Sequence, residues 1–285
     1  MVLDMKLFLK IAFLGTDYCG YQVQNNAMTI QQALNEASYR VFGFECDIVG
    51  CSRTDSGVHA NEFCLTVSEK GELGLDHNIP IDKIPLAFNA NLPDDICVFY
   101  AEMVDNSFHP RYDVKYKEYI YKIWNGKLKN PFLSDRAYKS PFYINEEAVK
   151  TMGVAAQNFI GKHDFTAFMA KGSKITDATR TVFYADVFCE GDVLIFKVAA
   201  DGFLYNMVRI MTGTLLEVAR NAIEPDDIGK IIISKNRALA GATAPACGLY
   251  LNKVSYEKYE EIYHYFGSVP LRNRFRISAD QDHYR

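Results

Sequence analysis

The chain has 285 residues, of which 49% are apolar and 23% charged, and its formal net charge is −4. This length suits one large domain or two small ones, and the composition excludes a disordered or collagen-like protein. No run of about 18 apolar residues occurs, so no membrane-spanning helix is expected. Lys10 interrupts the apolar stretch 7–14, and no small-residue cleavage site follows it, so we expect no signal peptide and a cytoplasmic location.

The first half of the chain predicts alternating strands and helices. An apolar run over 7–14 predicts a buried strand. Thr29 is a typical helix N-cap, and Gly43 is a typical end for the helix that follows it. Two further strands, at 47–50 and 62–67, flank a polar loop, and a short helix is predicted over 82–88.

The second half repeats this order of elements. Alternation predicts a strand over 116–124, with Tyr119 and Tyr121 on the same face. Later segments predict a helix over 145–159, capped by Asn145, and a hairpin over 182–199. A helix with one apolar stripe is predicted over 204–218, a short helix over 225–234 and a last strand over 248–254. Two strand–helix–strand halves indicate an α+β protein with a mixed or antiparallel sheet.

The sequence contains none of the common signatures for metals or cofactors. Its seven cysteines include no C-x-x-C pair, and its six histidines have no ligand spacing. Motifs for phosphate loops, dinucleotide binding and zinc proteases do not occur. We therefore expect reduced thiols, no metal and no cofactor.

Charge is unevenly distributed along the chain. Residues 111–139 contain eight Lys or Arg and three Asp or Glu, whereas 65–105 contain two and eight. This segregation has two interpretations, a basic patch for a polyanion or an ordinary solvated face.

The densest polar cluster is the segment 51–59, CSRTDSGVH. One interpretation is structural, because Asp-Ser-Gly is a common turn composition. Another is that the loop presents Asp55 between two strands, where a nearby cation such as Arg53 keeps the carboxylate ionised as a nucleophile or base. A third is a thiol–imidazole pair of Cys51 and His59.

The segment SRTDSGVHA resembles the signature of the tRNA pseudouridine synthase A family. Eight other segments resemble motifs of that family, in the family's order: GTDYCGYQVQ (15–24), TIQ (29–31), FNANLP (88–93), FHPR (108–111), KEYIY (117–121), GKHDFTAF (161–168), FLYNMVRIMTG (203–213) and GLYL (248–251). Together these motifs cover the chain from about residue 13 to 251.

The resemblance implies a fold and an activity. The fold is that of pseudouridine synthases, two α/β halves that share a continuous, largely antiparallel sheet with a cleft between them. The activity is isomerisation of uridine to pseudouridine at positions 38 to 40 of the tRNA anticodon arm, by a homodimer without cofactor or metal. Expected boundaries are 1–110 for the half with the catalytic loop, 111–256 for the second half, and 257–285 for a C-terminal helix and basic tail.

The resemblance also implies roles for individual residues. Asp55 is the catalytic carboxylate, and Tyr119 lies against the target base. Arg209 pairs with Asp55, Arg53 helps to extrude or replace the target nucleotide, and Leu251 contributes to substrate binding. Two other functions stay open, a related RNA-binding or RNA-folding protein without catalysis, and a thiol-dependent hydrolase that uses Cys51 and His59.

Overall fold

The computed structural model describes residues 5–172 and 175–259. The described residues divide into two compact units, the first made of 5–115 together with Tyr250–Tyr256, the second of 116–172, 175–249 and 257–259. Most of the predicted helix and basic tail, 260–285, lies outside the described residues. No helix in the described residues combines the length and apolar character needed to cross a membrane.

The described residues form ten strands and five α-helices. The strands are β1 (Met5–Phe13), β2 (Cys46–Gly50), β3 (His59–Glu69), β4 (Ile96–Asp105), β5 (Tyr116–Trp124), β6 (Tyr138–Lys139), β7 (Gly161–Asp164), β8 (Thr179–Glu190), β9 (Val193–Ala200) and β10 (Leu249–Ser255). The helices are α1 (Ile30–Phe42), α2 (Ile84–Asn89), α3 (Glu146–Gln157), α4 (Met207–Ala219) and α5 (Asp227–Ser234). The α+β class predicted from the sequence is confirmed.

The first unit is built on a mixed sheet with the strand order β4-β1-β3-β10. β1 pairs antiparallel with both β3 and β4. On its other edge, β3 pairs antiparallel with β2 over Leu65–Glu69 and parallel with β10 at His59 and Ala60. The loop between β2 and β3 therefore lies at this edge of the sheet.

The second unit has the strand order β5-β9-β8-β7, all antiparallel, with β6 added parallel to the end of β5. In this register Tyr119 of β5 lies opposite Val198 of β9. The predicted hairpin is present: Gly191, with φ of 59°, turns the chain between β8 and β9. β5 has the bounds that the alternation of its residues predicts.

The helix caps identified in the sequence have the expected geometry. The Thr29 side chain accepts a hydrogen bond from Gln32 N, and Gly43 ends α1 in the left-handed region with φ of 83°. The Asn145 side chain accepts from Ala148 N at the start of α3. Each cap satisfies a backbone group that a helix end leaves unpaired.

Helix α4 is buried on nearly all sides, which the single apolar stripe in its sequence does not predict. Besides the stripe, Ile210, Thr212 and Thr214 have no exposed surface. The stretch 241–244 covers α4 on the side of Gly213, where a Cβ would lie 1.7 Å from Ala242 O. Because glycine has no side chain, the backbone of this stretch lies directly on the helix.

Candidate active site

The segment 51–58 forms a loop between β2 and β3 with its carboxylate at the centre. Val58 N donates to Asp55 O at 3.2 Å, which closes a turn, and Gly57 takes a φ of 76°. The Asp55 side chain is half-buried, whereas Thr54 and Val58 on either side of it are buried. Both the turn and the displayed carboxylate that the sequence suggested are therefore present in one loop.

The segment 15–21 holds this loop through backbone contacts. Tyr18 O accepts hydrogen bonds from Gly57 N at 3.4 Å and from Ser56 Oγ at 3.2 Å. Tyr21 N donates to Thr54 O at 3.2 Å. A Cβ on Gly20 would lie 2.6 Å from Thr54 O, so the two backbones meet at a distance that only glycine allows. The loop of Asp55 is thus fixed from both sides of the carboxylate.

The segment 15–21 is itself anchored at two points. Tyr18 donates its hydroxyl proton to Asp95 Oδ1 at 2.6 Å. At the other end Gly20 O and Tyr21 O accept from Ile30 N and Gln31 N, the first residues of α1. The motif at 29–31 and Asp95, two residues after the motif at 88–93, therefore support the loop.

Cys51 and His59 lie in the interior of the first unit and do not present a reactive pair to solvent. Both have no exposed surface. Cys51 Sγ accepts from Cys64 N at 3.4 Å, and Nδ1 of His59 accepts from Gly15 N at 3.0 Å. A hydrolase needs a nucleophile that its substrate reaches, so the thiol-dependent alternative is not favoured.

Arg53 and Leu251 belong to the same unit as Asp55 but lie in different environments. Arg53 is exposed, two residues before Asp55 on the loop. Leu251 is fully buried in β10, in register with Ala60 of β3. Its predicted role in substrate binding stays a prediction, because its described surroundings are those of a core residue.

Tyr119 lies in β5 of the second unit and is 7% exposed. Its ring meets Phe203 edge-to-face, with centroids 5.0 Å apart. Tyr121, on the same face, donates its hydroxyl proton to Pro245 O at 2.7 Å. Burial raises the pKa of Tyr121, so this phenol is a neutral hydrogen-bond donor. Tyr121 has no exposed surface and is a packing residue.

Arg209 lies in α4 of the same unit and is held by two hydrogen bonds. Its Nε donates to Ala244 O at 2.7 Å, and its Nη1 donates to Asn206 Oδ1 at 2.8 Å. These bonds use two of the five guanidinium N–H groups and fix the plane of the group. Arg209 is half-buried.

Asn206 is a supporting residue that the sequence analysis did not identify. It precedes α4 in the left-handed region, with φ of 60°, and its side chain makes no capping bond to the helix. Asparagine tolerates this conformation better than most residues. A non-glycine residue at positive φ whose side chain is used elsewhere is typical of functional sites, but only the structure shows it.

The structure brings Asp55 and Arg53 together on one loop, and it places Tyr119 and Arg209 in the second unit. The pairing of Asp55 with Arg209 stays a prediction. Among the described residues, no group of three or more His, Cys, Asp or Glu side chains could hold a metal ion.

Comparison with known proteins gives the class of this site. A family model described as tRNA pseudouridine synthase matches residues 10–113 and 155–257, more than half of the chain. The chain belongs to this family.

The curated relatives are called tRNA pseudouridine synthase A. Those of Thermoanaerobacter sp. (strain X514), Acetivibrio thermocellus and Anoxybacillus flavithermus are 41%, 40% and 41% identical to this chain. The alignments cover 88%, 87% and 87% of this chain and 99%, 98% and 97% of the relatives. Among solved structures, a chain of a Cbf5-Nop10-Gar1 complex aligns with a TM-score of 0.34 and 12% identity, over 90% of this chain and 64% of that one.

Proposed function

We propose that this chain converts uridine to pseudouridine at positions 38 to 40 of the tRNA anticodon arm, with Asp55 as the catalytic carboxylate. The observation that carries the proposal is the loop of Asp55. Hydrogen bonds from Tyr21, Ser56 and Gly57 hold the backbone on both sides of it, while the carboxylate keeps partial access to solvent. A fixed carboxylate at a loop tip is a suitable nucleophile or base.

The reaction is an isomerisation and is balanced without any other reactant. The C1′–N1 bond of the uridine breaks, the uracil turns, and a C1′–C5 bond forms. The proton at C5 is lost, and N1 gains one. The chain must therefore supply a carboxylate, a group near C5 and a way to hold the base.

The second unit supplies the other proposed groups. Tyr119 lies in β5 opposite the buried Val198 of β9, where its ring can stack on the uracil and its hydroxyl can move the C5 proton. Arg209 pairs with Asp55 and keeps the carboxylate ionised and oriented. Its two hydrogen bonds, to Ala244 and Asn206, set the plane of its guanidinium.

Arg53 assists the extrusion of the target nucleotide. Taking a base out of its stack costs a few kcal/mol, and a planar guanidinium can stack in the vacated space. Arg53 is exposed and precedes Asp55 by two residues, so it is available beside the carboxylate. Leu251 completes the proposed substrate-binding set from β10.

In this proposal, the protein binds tRNA as a homodimer in the cytoplasm. An acidic chain offers a polyanion only local basic surface, and two copies double that surface. Lys127 and Lys129 of the basic stretch 111–139 are exposed, whereas Lys117 and Lys122 in β5 are half-buried. The first pair is therefore the better candidate for phosphate contacts.

Tritium release from tRNA labelled with [5-³H]uridine tests the activity, because C5 loses its hydrogen in the reaction. We expect release from wild-type tRNA and none from a transcript with cytidine at positions 38, 39 and 40. Single replacements show which position is used. Binding without release identifies the alternative, an RNA-binding relative without catalysis.

Mixing two inactive variants tests the dimer. Asp55→Asn and Lys127→Ala/Lys129→Ala are combined at equal concentration. If one subunit binds the tRNA for the other, part of the activity returns. A fully active monomer, measured by sedimentation at the assay concentration, contradicts the dimer model.

A further inference from the structure

A polar pocket of about 260 Å³ lies beside the loop of Asp55, within the first unit. Its walls come from residues 21–22, 48–50, 52–53, 109 and 111–112, together with Gln31. Ser52 and Arg53 belong both to this pocket and to the loop. The pocket is therefore continuous with the segment that carries the proposed catalytic carboxylate, but its other walls have no role in the proposed reaction.

Two arginines of the pocket have no acidic partner in the part of the chain that the structure describes. Arg53 and Arg111 are exposed, and neither forms an ion pair there. Asp113, the acidic residue nearest to Arg111 in sequence, accepts a hydrogen bond from His109 N at 2.7 Å. Two unpaired guanidinium groups favour an anion with several oxygens, which a phosphodiester supplies.

The pocket also presents an aromatic surface. Tyr112 is 75% exposed, and its ring lies against that of His109 with centroids 4.2 Å apart. Nδ1 of His109 accepts from Arg111 N at 3.1 Å and from Tyr112 N at 3.3 Å, so the ring proton of the neutral side chain is on Nε2. An exposed ring with a fixed neighbour is a suitable platform for a nucleic-acid base.

A third feature is the buried Tyr21, which belongs to the pocket lining. Tyr21 is 3% exposed, and its hydroxyl has no hydrogen-bond partner among the described residues. Its ring stacks on Phe63 at 4.3 Å, and its phenol end lies against Gly50, where a Cβ would be 2.7 Å from the ring. Buried hydroxyls normally have a partner, and such an exception requires an explanation. A ligand in the pocket, or a water that it holds, would supply the partner.

We propose that this pocket binds one nucleotide next to the target uridine, with its phosphodiester on Arg111 and its base on Tyr112. This inference rests on the proposed function, because it takes the ligand to be the RNA substrate. Arg53, at the edge of the pocket, connects this nucleotide with the extruded one. The site would fix the register of the RNA, so that the base beside the pocket is the one presented to Asp55.

The test measures binding separately from turnover. Affinity for a fluorescently labelled anticodon stem-loop RNA is determined by anisotropy at several salt concentrations. Arg111→Ala should weaken binding about 10-fold and make the slope of log K against log salt shallower by about one, because one phosphate contact is lost. Tyr112→Ala should also weaken binding about 10-fold without a change of slope, because it removes stacking but no charge.

Matched controls come from α1, on which Tyr39 and Arg40 are exposed. Arg40→Ala and Tyr39→Ala should bind like the wild type. Tyr21→Phe should weaken binding by a factor of about 2 to 10 without a lower melting temperature, since it removes a hydroxyl that is unpaired in the free protein. Arg111→Lys replaces Arg111→Ala if the alanine variant does not fold, and should give an intermediate affinity.

A single methylphosphonate, moved along the RNA, identifies the linkage. The affinity of the wild type for the RNA should fall when the uncharged linkage faces Arg111. The affinity of Arg111→Ala should be the same with and without that substitution. If Arg111→Ala matches Arg40→Ala in affinity and slope, the pocket proposal is wrong even though the enzyme is active. If the wild type binds RNA and the variants behave as expected but no pseudouridine forms, the proposed function fails and the pocket stands. If the wild type does not bind RNA, both fail.

Discussion

Gly15 donates its backbone N–H to Nδ1 of the buried His59 at 3.0 Å, and this bond joins the end of β1 to the start of β3. Gly15 is the first residue of the segment 15–21, and His59 directly follows the loop 51–58 that carries Asp55. The bond therefore connects the segment to the loop. A Cβ on Gly15 would lie 2.0 Å from Val58 O. The proposed carboxylate thus depends on a glycine forty residues earlier in the chain.

Gly15→Ala should destabilise the protein by about 1–3 kcal/mol, because the new methyl group forces the backbone of the loop to move. Activity should fall along with stability, measured by thermal unfolding and by tritium release. Gly153→Ala is the control. At this helical glycine the atoms nearest to a Cβ would be 3.7 Å away, so the change should stabilise the protein by as much as about 1 kcal/mol. A Gly15→Ala protein as stable and active as the wild type contradicts this account of the loop.

Tyr119→Phe should lower the reaction rate, whereas Tyr121→Phe should lower the stability of the fold, although the two tyrosines share a face of β5. Without its hydroxyl, Tyr119 loses the group proposed to move the C5 proton, so the rate should fall by ~10²–10⁴. Tyr121→Phe loses the hydrogen bond to Pro245, which should cost about 0.5–1.5 kcal/mol of stability and leave the rate largely unchanged. An unchanged rate for Tyr119→Phe would leave that ring with a stacking role only.

Asn206→Gly tests how Arg209 is positioned. Glycine keeps the positive φ of this position but removes the oxygen that accepts from Arg209 Nη1. We expect kcat to fall about 10-fold, as for the loss of a hydrogen bond to a charged group, with the Kd for tRNA unchanged. Arg209→Lys should reduce kcat further, because an ammonium cannot replace the guanidinium plane. If Asn206→Gly raises Kd and leaves kcat unaltered, Arg209 acts in binding and does not position the carboxylate.

Asp164 gives the protein a pH-dependent contribution to stability. Hydrogen bonds from Lys235, at 2.7 Å, and from Thr166 lower the pKa of Asp164 to about 2. A carboxyl group with a lowered pKa stabilises the folded state above its ordinary pKa near 4 and loses that contribution as the pH falls towards 2. Because the pair is partly exposed, we expect no more than about 1 kcal/mol.

Urea unfolding between pH 6 and pH 2.5 measures this contribution. Asp164→Asn should be less stable than the wild type at pH 6, and the difference should shrink as the pH falls below 4. Lys235→Gln removes the partner and should show the same loss at pH 6. A difference that stays constant over the whole range would show that Asp164 acts only through uncharged contacts.

Local patterns in the sequence identify most of the fold. Thr29, Gly43 and Asn145 mark helix ends because capping depends on one side chain and the backbone next to it. β5 and the hairpin at Gly191 follow from alternation and turn composition in the same way. These features need no contact from elsewhere in the chain.

Features that depend on distant contacts were missed. β4 was not predicted, since as an outer strand it buries few residues and alternates poorly, and its register to β1 shifts at Lys10 and Ile11. The second buried side of α4 results from the stretch 241–244, and no pattern within the helix signals it. The support of Arg209 by Asn206 and Ala244 likewise joins residues that only the fold brings together.

Replacement of Asp55 by asparagine tests the central claim most directly. The change keeps the size of the side chain and removes its charge. Asp17→Asn, on the exposed part of the segment that holds the loop, is the matched control. The account predicts that Asp55→Asn forms pseudouridine at least ~10³-fold more slowly than the wild type, as for loss of a catalytic nucleophile. It also predicts a Kd for tRNA close to that of the wild type, because phosphate contacts dominate affinity. Substantial turnover by purified, folded Asp55→Asn protein would contradict the assignment of this carboxylate to the reaction.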